Sequence, residues 1–221
     1  MSACGPFDGP PFRLPIALSD VAAGMHLALG ILCAIESRHR SGKGQKVDVS
    51  LLDSAISYGV YEAAYFFATD QRPPRLGQSH RGSSPYEVFE TADGYITIGA
   101  AQQNFWETLC DTVGLPSLKS DARFRTNADR VANNGVLVSV LQEKLKLHAS
   151  AHWLDALDKA GIPSGPVLAT DEILTDPHVL AREMVTQVAH PAAGDMKTLG
   201  IVAKLSETPG GIVGPAPRLG E

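Results

Sequence analysis

Cysteine is scarce in this 221-residue chain: Cys4, Cys33 and Cys110 form an odd, scattered set with no CxxC spacing. That excludes a disulfide framework and a thiolate zinc site, and separate reduced thiols fit a cytosolic protein. Basic runs are missing as well. The 19 Lys and Arg are outnumbered by 24 Asp and Glu, for a net charge of −5, which makes nucleic acid a poor partner. Ser41-Gly42-Lys43-Gly44 lacks the glycines a phosphate loop places ahead of Gly-Lys-Ser/Thr. The Ser and His residues form no recognisable triad. His148 and His152 are four apart but have no third ligand, and Ala149-Ser150 between them resembles a break between helices, so no metal site is expected. The first 15 residues lack the basic start and apolar core of a secretory leader. The longest apolar stretch, residues 21–35, contains only His26 as a polar interruption. It falls short of the roughly 20 residues of a bilayer crossing, and Glu36, Arg38, His39 and Arg40 follow it at once. Its pattern predicts a buried helix of a soluble protein, with His26 a core histidine and no membrane partner.

What is present is an ordinary globular composition, 44% hydrophobic and 19% charged, with length for one or two domains. Residues 1–15 are rich in Gly and Pro and read as loop. Asp20 stands where an N-cap belongs, and the apolar helix is expected to run to Arg40, stopped by Gly42 behind basic residues. Val47, Val49 and Leu51 alternate with polar neighbours, which predicts a strand over residues 45–51. Asp53 then suits the cap of a helix over residues 54–68. A proline-bearing loop, residues 70–85, suggests a domain boundary. Residues 86–89 and 95–98 flank Ala92-Asp93-Gly94, a hairpin signal. Helices are predicted over residues 104–113, 133–148 and 151–160, with short ones near Asp171 and Pro177. A second hairpin joins residues 184–189 to 197–201, and residues 207–221 return to coil. The order of elements is that of an α/β fold. With coil at both ends and a strand lacking partners, the chain reads as part of a larger fold.

Asp20 has two readings on local grounds. A carboxylate at a helix start is most often a cap. The same N–H groups and partial positive charge can keep an aspartate ionised among apolar neighbours and steady an oxyanion beside it, and such a carboxylate can attack a thioester. Local sequence leaves the choice open. The segment Gly77-Gln78-Ser79-His80-Arg81-Gly82-Ser83-Ser84-Pro85 is small and polar. It fits a substrate-closing loop as well as it fits a plain linker.

Asp8-Gly9-Pro10-Pro11, Ala17-Leu18-Ser19-Asp20, Gly24-Met25-His26-Leu27, Gly30-Ile31-Leu32 and Ser41-Gly42-Lys43-Gly44-Gln45-Lys46-Val47 closely resemble a stretch of formyl-CoA transferase. Pro85-Tyr86, Asp93-Gly94-Tyr95, Arg123-Phe124 with Asn127, Gly161-Ile162-Pro163-Ser164-Gly165-Pro166-Val167, Asp176-Pro177, His190-Pro191 and Leu219-Gly220-Glu221 fit the wider class III CoA-transferases, the formyl-CoA and carnitine CoA-transferase family. The resemblance covers essentially the whole chain and matches that family's C-terminal portion. It implies a partial α/β fold: residues 1–75 as a remnant of a large Rossmann-like domain carrying the nucleophile helix, 76–180 as a small α+β domain, and 181–221 as a return segment. It further implies Asp20 as nucleophile, an aspartyl anhydride and an aspartyl-CoA thioester as intermediates, and coenzyme A entering as acyl-CoA substrate, with no permanently bound cofactor. The full-length form would be an interlocked homodimer. His80, Arg81, Gly82, Ser83 and Ser84 take the place of the family's glycine run over the reacting aspartate, and only Gly82 plainly matches. His80 or Arg81 there would suit a dicarboxylate. An α-methylacyl-CoA racemase-like enzyme and a non-catalytic fragment or subunit are the alternatives. By itself the chain is expected to be weakly active or inactive and to expose apolar surface.

Overall fold

A computed structural model describes residues 3–220. Helix α1 (Leu18–Ser41) begins two residues ahead of Asp20, with Ala17 at the cap position and no side-chain cap bond. Asp20 is therefore not the cap: it lies in the first turn, where its charge still suits the positive end of the helix. The other end behaves as the sequence implies. Arg38, His39 and Arg40 occupy the last turn, and Gly42 closes the helix at φ 70°, where its N–H reaches the Arg38 carbonyl.

Residues 45–51 form no strand. The chain from 43 to 50 is unpaired coil until the Ser50 hydroxyl accepts the Asp53 N–H at 3.0 Å and starts α2 (Leu51–Ser57). Ser50 is thus the cap and Asp53 belongs to the first turn. Period-2 alternation favours a strand only where a neighbouring strand takes up its backbone groups, and none does so among the described residues. The helix expected over residues 54–68 is interrupted at Tyr58-Gly59 and resumes as α3 (Val60–Thr69).

Strands β1 (Tyr86–Glu90) and β2 (Tyr95–Gly99) pair antiparallel, Tyr86 opposite Gly99 and Phe89 opposite Ile96. They turn through residues 91–94, where Thr91 N–H reaches the Gly94 carbonyl. Helices α4 (Gln103–Thr112), α5 (Asn127–Ala132), α6 (Asn134–Leu145) and α7 (Ser150–Lys159) follow, and β3 (Ser164–Pro166) adds to the sheet in the order β1-β2-β3. α5 was not apparent in the sequence. It is held by a reciprocal cap in which Thr126 accepts the Asp129 N–H and Asp129 accepts the Thr126 N–H.

Strand alternation builds the core. Phe89, Ile96 and Ile98 point inward and are fully buried against Trp106, Leu109, Phe124, Leu137, Leu141, Leu145 and Leu157. Glu87 shares that inner face and is buried, and its carboxylate accepts an N–H from Asn134 at 2.8 Å. Trp153 donates its indole N–H to the Leu145 carbonyl at 2.7 Å.

Helix α1 is not buried as its composition predicts. Ala22 is its one buried residue, while Met25, Leu29 and Leu32 are 56%, 58% and 63% exposed. His26 is half-buried, 6.2 Å from the Tyr58 ring, and does not belong to the core. With 24 residues the helix is long and apolar enough to cross a membrane by length and composition. The reason is plain: burial needs a covering surface, and these described residues do not provide one for α1.

A first compact unit ends at Gly165 and a second begins at Pro166. The second contains the short α8 (Thr170–Ile173) and α9 (Pro177–Ala181), then the hairpin of β4 (Val185–His190) and β5 (Gly194–Leu199). Asp176 caps α9 by accepting N–H bonds from His178 and Val179. Gly200 passes so close to the Glu183 carbonyl that a Cβ there would lie 1.9 Å from its oxygen, so no other residue fits without moving the backbone.

Candidate active site

Asp20 is exposed on the first turn of α1, and the Ser19 hydroxyl donates to its Oδ2 at 3.1 Å. Freed of a capping bond, the carboxylate is available to solvent and ligand. Residues 80–84 lie elsewhere in the same unit. None of their hydrogen bonds or ion pairs involves Asp20, so the described contacts do not bring the two parts of the predicted site together.

The polar loop is pinned rather than slack. Arg130, fully buried on α5, donates from Nε to the Ser84 carbonyl at 2.8 Å, from Nη2 to the Ala101 carbonyl at 2.6 Å, and from Nη1 to the Phe124 carbonyl at 3.2 Å. Its guanidinium lies 5.1 Å from the Trp106 ring centre, and burial pulls its pKa below the ordinary value. Asn127 clamps the same segment from both sides, accepting the Ser84 N–H at 3.1 Å and donating to the Gly82 carbonyl at 2.9 Å. The Ser84 hydroxyl donates to Asn134 at 2.6 Å, and Asn134 reaches Ser79 at 3.1 Å. A chain stretch so fully hydrogen-bonded is a fixed shelf and not a floppy linker.

On that shelf His80 and Ser83 form a bridge, and His80 Nδ1 accepts the Gly82 N–H at 3.1 Å. Nδ1 is therefore unprotonated and the ring hydrogen sits on Nε2. The His80 ring is wedged 5.2 Å from Tyr61 and 5.4 Å from Tyr86. Arg81 turns toward α3. Its Nη2 meets Glu62 at 3.3 Å and the Pro74 carbonyl at 3.1 Å, and its guanidinium is 5.0 Å from the Tyr65 ring centre. The Gly/Pro-rich residues near the N-terminus are tied here too, with Arg75 donating to the Pro6 and Gly9 carbonyls and Gly77 N–H to Gly5.

Sequence reasoning singled out Asp20 and the 80–84 loop but not Glu62, Arg130 or Asn134. Their links reach across 19, 46 and 50 positions, and no local periodicity marks such pairs. Elsewhere, His148 and His152 do meet, ring centres 4.3 Å apart, beside Trp153. No third ligand joins them: among the described residues there is no group of three or more His, Cys, Asp or Glu that could hold a metal. Burial pushes the Cys110 thiol up to about 12, so it is an inert core side chain.

The model of the family described as CoA-transferase family III matches residues 1–221, and the chain belongs to that family. It is 38% identical over 84% of its length to an acetyl-CoA:oxalate CoA-transferase of Acetobacter aceti, covering 48% of that protein. It is 32% identical over its full length to a succinyl-CoA:glutarate CoA-transferase of Mus musculus, covering 51%. A succinyl-CoA:mesaconate CoA-transferase of Haloarcula hispanica is 35% identical, again over the full chain and 55% of the relative. Among solved structures, a CAIB/BAIF family protein from Brucella suis superposes over 99% of the chain and 56% of its own, with a TM-score of 0.82 and 28% identity. The chain thus spans about half the length of the curated relatives it matches, and its fold is a partial version of the family's.

Proposed function

We propose that the protein of which this chain forms part transfers CoA between carboxylic acids, with Asp20 as the covalent nucleophile. The observation that carries this reading is the family match over the whole chain together with an uncapped, exposed carboxylate at the N-terminal turn of α1. In the first step an Asp20 oxygen attacks the donor thioester carbonyl. A C–O bond forms, the C–S bond breaks, and CoA leaves as thiolate. The thiolate attacks the aspartyl carbonyl of that mixed anhydride, releasing the donor acid and leaving an aspartyl-CoA thioester. The acceptor carboxylate displaces the thiolate in turn, and the thiolate then takes the acceptor acyl group and returns Asp20 to the free carboxylate. Splitting one transfer into exchanges between carboxylate and thioester is covalent catalysis, and the partial positive charge of the helix start supports each oxyanion formed beside it. Coenzyme A is a substrate in this cycle, and no step calls for a metal or redox group.

The shelf 80–84 is the substrate loop in this reading, supported by its fixed carbonyl and hydroxyl bonds to Arg130, Asn127 and Asn134. Residues 1–75 would belong to a large α/β domain, 76–180 to a small α+β domain and 181–221 to a return segment. The uncovered apolar faces of α1 to α3 support assembly with further protein, in an interlocked homodimer of the full-length form in the cytosol.

Incubation with succinyl-CoA, hydroxylamine trapping and peptide mapping by mass spectrometry test the chemistry. A hydroxamate on Asp20, absent after Asp20→Asn, is the expected result, and an adduct that survives that substitution overturns it. Bound CoA with no adduct favours a racemase-like enzyme, and neither binding nor adduct favours a non-catalytic subunit.

A further inference from the structure

Arg81 is a largely buried cation whose hydrogen bonding is incomplete. Its side chain is 17% exposed and faces Glu62, itself 35% exposed. A guanidinium holds a carboxylate best through two adjacent N–H groups at about 2.7–2.9 Å. Here Glu62 meets Nη2 alone, at 3.3 Å. The neighbouring Nε is closed off from solvent and has no acceptor, an arrangement that costs free energy as it stands. The edge of Arg81 suited to a two-point carboxylate clasp is therefore half used. The Pro74 carbonyl at 3.1 Å and the Tyr65 ring at 5.0 Å fix the plane of the group.

Beside it lies a cavity of about 150 Å³, lined by Tyr61, Glu62, Leu76, Ser79, His80 and Arg81 among others. That is below the roughly 300–1,000 Å³ of a typical drug-sized site, and it suits a short acid. Its polar complement is one-sided. Arg81, the Nε2–H of His80 and the Ser79 hydroxyl offer donors, and Glu62 is the one carboxylate among them. Since Glu62 already meets Nη2, a ligand carboxylate at that edge and the Glu62 carboxylate compete for one cation.

We infer that Glu62 is an internal stand-in for a substrate carboxylate, and that a short dicarboxylic acid displaces it to clasp Arg81 through Nε and Nη2. One carboxylate is held there while the other stays free for CoA transfer. The assignment rests on the reading of residues 80–84 as the substrate loop and narrows it to dicarboxylates. Binding of the acid needs neither CoA nor Asp20, so it can be measured apart from the chemistry.

The test is calorimetric titration of the chain with glutarate, with uncharged glutaramide as control, at fixed ionic strength. Glu62→Gln removes the competing charge and keeps the side chain's shape, and glutarate is expected to bind it about 10-fold more tightly than the wild type, the size of one charge-assisted hydrogen bond. Adding Arg81→Lys to Glu62→Gln keeps the charge but loses the clasp, and the gain should vanish. Glutaramide should bind none of the three. Equal affinities for wild type and Glu62→Gln, a gain that persists with Lys at 81, or no glutarate binding by any variant would each overturn the inference. Matching melting temperatures exclude misfolding as the cause. Asp20→Asn should leave glutarate affinity as it is. Failed hydroxamate trapping beside successful titration would remove the nucleophile and leave the latch, and the reverse result would remove the latch alone.

Discussion

Leu32 on α1 and Leu141 on α6 are the same side chain in opposite circumstances: the first is 63% exposed and the second fully buried. The contrast holds for whole regions. Residues 86–166 fold a three-stranded sheet and four helices around a continuous core containing Trp106, Phe89 and Phe124. Residues 18–69 form three helices on which Ala22 and Ser54 are the only buried positions. One region supplies its own cover and the other displays apolar side chains. The proposed nucleophile sits on the displayed region, and the pinned loop sits at the edge of the self-sufficient one.

The sharpest way to break that comparison is to truncate the same residue type in both regions. Leu141→Ala should cost about 2–5 kcal/mol in urea unfolding followed by circular dichroism, because it removes buried methyl groups and leaves a cavity. Leu32→Ala should stay within about 0.5 kcal/mol, as expected of an exposed position. Comparable losses at both sites would mean that α1 finds a cover in solution, and the contrast would be false for the assembled protein.

A second, smaller effect belongs to the joint between the regions. Arg130→Met removes the donors to the Ser84, Ala101 and Phe124 carbonyls. Each buried acceptor left unpaired costs about 1–3 kcal/mol, offset in part because the buried guanidinium has no carboxylate partner among the described residues. A net loss of about 2 kcal/mol is expected, with hydrogen exchange rising most across residues 82–85. Uniform exchange across the core instead would show that Arg130 serves packing in general and not the loop.

The two regions also differ in how much of them the sequence disclosed. The β1–β2 hairpin was legible from strict alternation around Asp93-Gly94, and α4, α6 and α7 from their apolar spacing, because neighbours in the chain decide those elements. Residues 45–51 alternate equally well yet form coil, since alternation states which face is apolar and not whether a partner strand exists. The polar side chain at 50 rather than the acid at 53 starts the next helix, a choice between two adequate caps. Asp20 stands out in the sequence but is not the cap, because Ala17 with a backbone turn starts α1 instead. The exposure of α1 has a deeper reason. An all-round apolar helix states that it needs cover, but not whether its own chain provides it. Glu62 facing Arg81 and Arg130 under Ser84 are contacts of the folded chain, invisible to any window of local sequence.

The smallest effect concerns acid, and it sharpens the picture of the self-sufficient region. Asp93, Asp121 and Asp129 are all held below the ordinary carboxylate value of 3.8. For Asp93 the chief cause is the backbone N–H of Ser150 at 2.7 Å, which ties the β1–β2 turn to the start of α7. For Asp121 it is the Arg123 side chain, and for Asp129 the Thr126 hydroxyl of the α5 cap. A carboxyl whose pKa is lower folded than unfolded binds fewer protons in the folded state, so its contribution is complete above the unfolded value and is lost as pH falls through the folded one. The melting temperature of residues 86–166, followed by near-ultraviolet circular dichroism of Trp106 and Trp153, should therefore be flat near pH 5 and fall below about pH 3.8. Asp93→Asn should lower the plateau slightly and make that fall shallower, because one of the three protonation events no longer distinguishes folded from unfolded chain. An unchanged slope in the variant would place the acid sensitivity at Asp121 and Asp129, and would reduce the Asp93–Ser150 bond to a surface contact without weight in holding the hairpin on α7.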